Sequence, residues 1–317
     1  MEPALFLTAP RVTIVAGKGG VGKTTTALTL GVAASRAGRS ALIVEVEGKS
    51  ALASLFGVGS VGYDEVELIP ATGGEGGLRA RTLTPDDALV EFLEDHGLKR
   101  ISNRLVSSGA LDMVVTATPG IKDVLILGKV KQLERAGVAD VIIIDAPAAG
   151  HAISFLRSAQ GLLDAVKVGL IENQARDVHE LLSDPERCQV VLVTLPEETP
   201  VNELIETAFS LEDQVGIALG PVVVNGIYEP LAGLATDPEA AAAAAGARLQ
   251  AGEADAMRIA ASFRSERSAL QAVQLERLGR ELPLPQLRLP FVFTSHLERP
   301  DVDGLAERLL EQIEALP

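Results

Sequence analysis

The sequence GKGGVGKT at residues 17–24 restricts what this chain can fold into more than any other segment. It matches the phosphate-binding pattern G-x-x-x-x-G-K-[ST] in full. Glycines let the backbone curl so that successive N–H groups point inwards at a chain of phosphates. The pattern requires a strand before the loop and a helix after it, because the positive N-terminus of that helix faces the same phosphates. The loop therefore predicts an α/β fold that binds a nucleotide.

The segments on either side of the loop supply the required elements. Residues 11–16 (RVTIVA) are typical of a buried strand, and residues 24–37 are typical of a helix. Similar short apolar runs, separated by helical segments, recur along the chain and indicate a doubly wound, mostly parallel sheet covered on both faces. The predicted strands are residues 11–16, 40–46, 141–145, 189–194, 221–225 and 287–293.

We expect one domain over residues 1–317, with a helical subdomain inserted into it. Two separate segments, about residues 78–137 and about residues 152–187, are expected to form this subdomain. The second segment begins with a helical stretch that is predicted to run from residue 152 to about residue 182.

Each polar residue of the loop has an expected role. Lys23 supplies a positive charge to the outer phosphates, and Thr24 supplies a hydroxyl ligand to Mg²⁺. Asp145 follows four apolar residues at the end of a predicted strand, where phosphate-loop enzymes hold Mg²⁺, usually through water. We therefore expect Thr24 and Asp145 at a metal ion. The nucleotide-binding residues predicted from the loop are Gly19, Gly20, Val21, Gly22, Lys23, Thr24 and Thr25.

Lys18 is a second lysine inside the loop and defines a variant of the motif. The sequence GKGGVGKT resembles the deviant phosphate-binding loop of a class of dimeric ATPases, which includes septum-positioning, plasmid-partition and arsenite-pump members. In that class the extra lysine crosses the dimer interface and touches the partner's nucleotide. The resemblance therefore implies ATP as the nucleotide and a dimer, of identical chains or of paralogues, in which Lys18 reaches the partner's ATP. The alternative is a solvated loop lysine.

Two further motifs resemble one branch of that class, the arsenite-pump and tail-anchored-protein-targeting ATPases. Residues 145–151 (DAPAAGH) resemble the branch's switch II sequence D-T-A-P-T-G-H, with Asp145, Gly150 and His151 in register. Residues 118–123 (TPGIKD) resemble its P-G-I-D-E element. The matches occur in the family's order along nearly the whole chain.

The resemblance also implies an adenine site and a function. Asn225 and Pro290 match positions where family members contact adenine. In the targeting branch, ATP hydrolysis moves a helical subdomain that holds a hydrophobic helix of a client protein. Candidate groove residues here are Val124, Leu125, Leu127, Phe155, Leu156, Leu162 and Leu163, although the same residues suit an ordinary helix–helix core. A low-turnover nucleotide switch that regulates or scaffolds is the second candidate function, and a small-molecule ligase with the same loop is a third.

Switch I departs from the family pattern D-P-A-H. Counted back from LFG at residues 55–57, Glu47 takes the position of the aspartate that orients the attacking water. Glutamate is one methylene longer, and in-line attack is sensitive to displacements of about 1 Å, so we expect slow hydrolysis. Glu45 is the alternative, because strand alternation puts it on the same face. The expected catalytic residues are Glu47, Lys23 and Lys18.

Composition excludes several other functions. The net charge of −15 argues against sequence-independent nucleic-acid binding, which requires neutralisation of phosphates. The chain shows no apolar run of about 18 residues and no signal-peptide pattern, so we expect a cytoplasmic protein without stable membrane insertion. Cys188 is the single cysteine, which excludes an intrachain disulfide, a nitrogenase-type cluster and the multi-cysteine metalloid site of arsenite pumps.

Overall fold

The computed structural model describes residues 1–46, 51–74, 76–108 and 120–316. The strands in these residues are β1 (Val12–Gly17), β2 (Ala41–Val46), β3 (Val66–Ile69), β4 (Leu78–Leu83), β5 (Val141–Ala148), β6 (Cys188–Thr194), β7 (Ala218–Leu219), β8 (Val222–Ile227) and β9 (Gln286–Pro290). The helices are α1 (Pro3–Thr8), α2 (Lys23–Arg36), α3 (Ala51–Phe56), α4 (Pro85–Asp95), α5 (Lys99–Ser108), α6 (Ile121–Ala136), α7 (Ala149–Ala165), α8 (Leu170–Ser183), α9 (Glu198–Val215), α10 (Pro238–Ala244), α11 (Glu253–Glu281) and α12 (Arg299–Glu314). None of these helices is both long and apolar enough to cross a membrane.

The strands form one sheet in the order β3-β4-β2-β5-β1-β6-β8-β9, and β7 pairs with β6. Every pairing is parallel except that between β3 and β4. Because β1 lies between β5 and β6, the loop after β1 leaves from the middle of the carboxyl-terminal edge, where open parallel sheets bind ligands. The predicted doubly wound, mostly parallel α/β fold is confirmed.

Neighbouring residues of β1 belong to the cores on opposite faces of the sheet. Ile14 is fully buried in the core that includes Phe155 of α7 and Leu204 of α9. Val15 is fully buried in the core that includes Leu28 of α2 and Leu305 of α12. The strand that presents the loop is therefore held by packing on both sides, which gives the loop a rigid base.

Residues 78–83, which the sequence places at the start of the helical subdomain, form strand β4 instead. Two arginines obscure this strand in the sequence, and the guanidinium of each makes a contact with a residue outside the strand. Arg79 forms an ion pair with Glu65, and the Arg81 guanidinium lies 4.6 Å from the centroid of the Tyr63 ring. The helical insertion therefore begins at α4, with Pro85.

Two other predicted boundaries are also wrong. The helical stretch predicted from residue 152 to about residue 182 is two helices, α7 and α8, and Gly169 between them has a φ of +105°. The strand predicted at residues 287–293 ends at Pro290, because the neighbouring strand β8 offers no pairing position beyond Ile227. The connection between β5 and α7 is shorter than the sequence predicts. The predicted strand ends at residue 145 and the predicted helix begins at residue 152, whereas α7 begins at the residue that directly follows β5.

Candidate functional site

The loop at residues 17–24 turns between the end of β1 and the start of α2 at Lys23. Gly20 and Gly22 have φ angles of +84° and +94°, in the left-handed region that glycine adopts without strain. A Cβ atom on Gly22 would also lie 2.2 Å from Nδ2 of Asn225. Both the backbone conformation and the close approach of Asn225 therefore require glycine at this position.

Lys23 provides a buried positive charge at the start of α2. Its side chain belongs to a residue that is 7% exposed, and its Nζ donates a hydrogen bond of 3.1 Å to the backbone oxygen of Lys18. Apart from the residues next to each glycine in the chain, no atom of the described residues lies within 4 Å of a Cβ position built on Gly19 or Gly20. Phosphate oxygens are strong acceptors for an ammonium group, so the loop combines the open space and the charge that a phosphate needs.

Thr24 and Asp145 meet although 121 positions separate them in the chain. Thr24 Oγ1 donates a hydrogen bond of 2.6 Å to Asp145 Oδ2. Asp145 lies in β5 beside Val15 of β1 and is 1% exposed. A hydroxyl oxygen and a carboxylate oxygen are ligands that Mg²⁺ prefers, and here they adjoin the loop. The two residues therefore fit the metal ion that the sequence predicts for them.

Lys18 lies at the outer side of the loop. Its side chain is 46% exposed, and its ammonium forms an ion pair with Glu203 of α9. Sequence reasoning missed Glu203, because 185 positions separate it from Lys18 and no motif includes it. In this single chain the lysine is thus held by its own subunit.

Comparison with known proteins identifies the family. Residues 10–171, which include the loop and Asp145, match the sequence profile described as anion-transporting ATPase. The chain belongs to that family. The match confirms the resemblance that the loop and the switch II sequence indicate, and it places this chain in a family of ATPases.

The relatives of this anion-transporting ATPase family member include bacterial, archaeal and fungal proteins. ATPase BagA of Mycobacterium tuberculosis is 34% identical over 226 residues, which are 69% of this chain and 66% of BagA. A putative arsenical pump-driving ATPase of Halobacterium salinarum is 28% identical over 227 residues, which are 66% of this chain and 34% of that protein. ATPase get3 of Schizosaccharomyces japonicus is 31% identical over 156 residues, which are 49% of this chain and 46% of get3. The matches thus span about two thirds of the length of BagA and less of the others.

Asn225 and Pro290 lie near the carboxyl ends of the neighbouring strands β8 and β9. Asn225 Nδ2 donates a hydrogen bond of 3.0 Å to the backbone oxygen of Val21, so the amide supports the loop from this side. Pro290 is in register with Ile227 of β8. The two residues share the edge of the sheet from which the loop leaves, and their contact with adenine stays a prediction.

An aromatic cluster that sequence reasoning missed borders the same edge. The ring centroid of Phe291 lies 5.1 Å from that of Tyr228 and 4.8 Å from that of Phe293. The guanidinium of Arg264, in α11, lies 4.2 Å from the centroid of Tyr228. These residues come from three separate segments, so their spacing in the sequence carries no signal of the cluster.

The assignment of the water-orienting acid stays a prediction, because Glu47 lies outside the described residues, as do residues 118–119 of the P-G-I match. Glu45, the alternative, is 1% exposed and is in register with Asp145. Its Oε2 accepts a hydrogen bond of 3.3 Å from Thr82 of β4. Glu45 therefore lies beside Asp145 at the same edge of the sheet, and the choice between Glu45 and Glu47 stays a prediction.

The predicted client groove is not open in this structure. Six of its candidate residues are at most 2% exposed, and they are Val124, Leu125, Leu127, Phe155, Leu156 and Leu162. Leu163 is partly buried against the same core. The candidate residues therefore form the helix–helix core that the sequence left as the alternative, and an open groove would require α6 and α7 to move apart.

Proposed function

We propose that this chain is a Mg²⁺-dependent ATP hydrolase that acts in the cytoplasm as a dimer, with an identical chain or with a paralogue. The observation that carries the proposal is the buried ammonium of Lys23 beside the open glycine loop, with the oxygens of Thr24 and Asp145 next to it. The three relatives named above are all called ATPases, which supports hydrolysis.

Each residue of the site has a separate role in hydrolysis. Lys23 and the N–H groups of the loop bind the β- and γ-phosphates, while Thr24 and Asp145 hold the metal. When bound, Mg²⁺ neutralises charge that develops on the phosphates. Glu47 orients the attacking water and accepts its proton. Lys18 adds a positive charge to the nucleotide of the partner subunit.

Two purposes fit this chemistry. A factor that handles hydrophobic client segments needs α6 and α7 to expose apolar surface when ATP is bound. A low-turnover regulatory switch is favoured by the closed core between these helices and by the altered switch I sequence. An apolar fluorescent probe that binds only with Mg²⁺ and a non-hydrolysable ATP analogue supports the first purpose. Absence of probe binding, together with turnover far below the median enzyme value of roughly 10 s⁻¹, supports the second purpose.

Lys18→Ala should weaken the ATP-dependent dimer by about tenfold or more, because a hydrogen bond from an ammonium to a charged group contributes about 1.5–3 kcal/mol. Light scattering on wild type and variant, with and without a non-hydrolysable ATP analogue, measures this. Lys99→Ala is the control, because Lys99 is an exposed lysine at the start of α5. The dimer proposal is wrong if wild type stays monomeric in every condition, and a dimer formed only with a paralogue would change the partner alone.

Glu47→Gln should lower kcat by about tenfold or more, equivalent to about 1.4 kcal/mol of barrier, while ATP affinity changes little. The substitution keeps the shape of the side chain and removes the charge that orients water and accepts its proton. Steady-state hydrolysis and nucleotide titration measure the two effects, with Glu45→Gln as the matched control. If Glu45→Gln abolishes turnover and Glu47→Gln does not, the water-orienting acid is Glu45.

A further inference from the structure

Glu203, in the second turn of α9, contacts the loop from outside every motif that carries the family resemblance. Its Oε1 accepts a hydrogen bond from Nζ of Lys18. The Lys18 side chain is 46% exposed and the Glu203 side chain 35%, so the pair lies at a partly buried position. Glu203 thus binds, within one subunit, the same lysine that contacts the partner's nucleotide in the proposed function.

The Glu203 carboxylate relies on Lys18 for compensation of its negative charge. The second oxygen, Oε2, is buried and has no hydrogen-bond partner within the described part of the chain. If Lys18 left, a partly buried charge would lose the cation that compensates it. Breaking such a pair costs more than the pair contributes when formed, because one charge stays behind without compensation. The pair therefore opposes departure of Lys18 from its own subunit.

Packing holds the backbone at the base of the Lys18 side chain. Gly17 and Lys18 line a cavity of only about 10 Å³ together with Pro200 and Leu204 of α9, which leaves little free space beside the loop. The backbone oxygen of Lys18 also accepts a hydrogen bond of 3.1 Å from Lys23 Nζ. This ammonium is the one that faces the phosphates in the proposed function, so the contact joins the backbone of Lys18 directly to the phosphate site.

We propose that Glu203 is a cis latch, meaning that it holds Lys18 on its own subunit and opposes dimerisation until nucleotide is bound. The inference rests on the proposed function, in which Lys18 crosses to the partner. The Lys18 ammonium has to leave Glu203 to reach across an interface, so formation of that contact breaks the ion pair. Phosphate groups carry more negative charge than one carboxylate and can compete for it, whereas an empty partner offers no replacement. Glu203 is then a positioning residue that makes the dimer depend on nucleotide.

The test measures dimerisation of the full chain by sedimentation velocity with Mg²⁺ and a non-hydrolysable ATP analogue. Glu203→Gln keeps the shape and removes the charge, so we expect about fivefold tighter dimerisation, equivalent to about 1 kcal/mol at 25 °C. Glu206→Gln is the matched control with unchanged affinity, because Glu206 is an exposed residue of the same helix. Glu203→Asp keeps the charge on a shorter side chain and should give an affinity between wild type and Glu203→Gln.

Two further measurements separate the cis latch from a structural role. Glu203→Gln should lower the protein concentration that gives half-maximal turnover, without changing kcat at saturating protein. In the background of Lys18→Ala, Glu203→Gln should leave dimer affinity unchanged. If Lys18→Ala weakens the dimer but Glu203→Gln does not tighten it, the cis latch is wrong and the proposed function stands. If Lys18→Ala dimerises like wild type, the proposed role of Lys18 fails, and the cis latch fails with it.

Discussion

Lys23→Ala should lower the affinity for ATP by about a hundredfold or more, equivalent to about 2.7 kcal/mol, while the fold survives. The side chain of Lys23 is buried beside the open loop, whereas the ammonium of Lys18, the other lysine of the loop, is paired with Glu203 and does not take its place at the phosphates. Isothermal titration with Mg²⁺ and a non-hydrolysable ATP analogue measures the affinity, and circular dichroism checks the fold.

Lys99→Ala again serves as the control for loss of one positive charge, because Lys99 is exposed at the start of α5. Its affinity for the nucleotide should equal that of wild type. A Lys23→Ala chain that is folded and binds and hydrolyses ATP normally would show that the loop is not the nucleotide site.

Asp145→Asn should lower turnover at a fixed Mg²⁺ concentration by about a hundredfold, or about 2.7 kcal/mol of barrier. The amide oxygen can still accept the hydrogen bond from Thr24 that the carboxylate accepts at 2.6 Å, so the local structure is kept. The negative charge that attracts Mg²⁺ is lost, and more Mg²⁺ should be needed for half-maximal activity. Nucleotide binding in the presence of a chelator should change little, because no metal contributes to it.

The control for Asp145→Asn is Asp164→Asn, which changes an exposed aspartate of α7 away from the loop. Titration of turnover with Mg²⁺ compares the two variants with wild type. If Asp145→Asn shows the Mg²⁺ dependence of wild type, Asp145 does not hold the metal, and its hydrogen bond with Thr24 serves only to fix the start of α2.

The sequence predicts the centre of the molecule well because there the signals are local. The loop of residues 17–24 combines a strand, a glycine turn and a helix within a short stretch, and the apolar runs of β1 and β5 fix the sheet around it. The meeting of Thr24 and Asp145 also follows from local signals, because Asp145 lies near the carboxyl end of β5 and Thr24 lies at the start of the helix that follows the carboxyl end of β1, and the two strands pair in parallel. Knowledge of these two strand ends suffices to bring the residues together.

Strand β4, the pair of Lys18 and Glu203, and the aromatic cluster were not predicted. Each depends on contacts between segments that are far apart in the sequence, and no local sequence pattern indicates such contacts. Strand β4 carries two arginines that a buried strand does not ordinarily contain. Glu65 pairs with Arg79, and the ring of Tyr63 lies beside the guanidinium of Arg81, but both partners lie outside the strand. The pair of Lys18 and Glu203 joins segments 185 positions apart, with no pattern in either. The same is true of the ring cluster of Tyr228, Phe291 and Phe293.

The direct junction between β5 and α7 has a mechanical consequence. Asp145 lies three residues before the end of β5, and α7 starts directly after that strand, so no loop separates the proposed metal ligand from the helix. A helix of 17 residues is about 26 Å long. At that length, a tilt of about 10° at the strand end displaces the far end of α7 by about 4 Å. A rigid helix in this position would therefore convert a small change beside the loop into a larger displacement near residue 165.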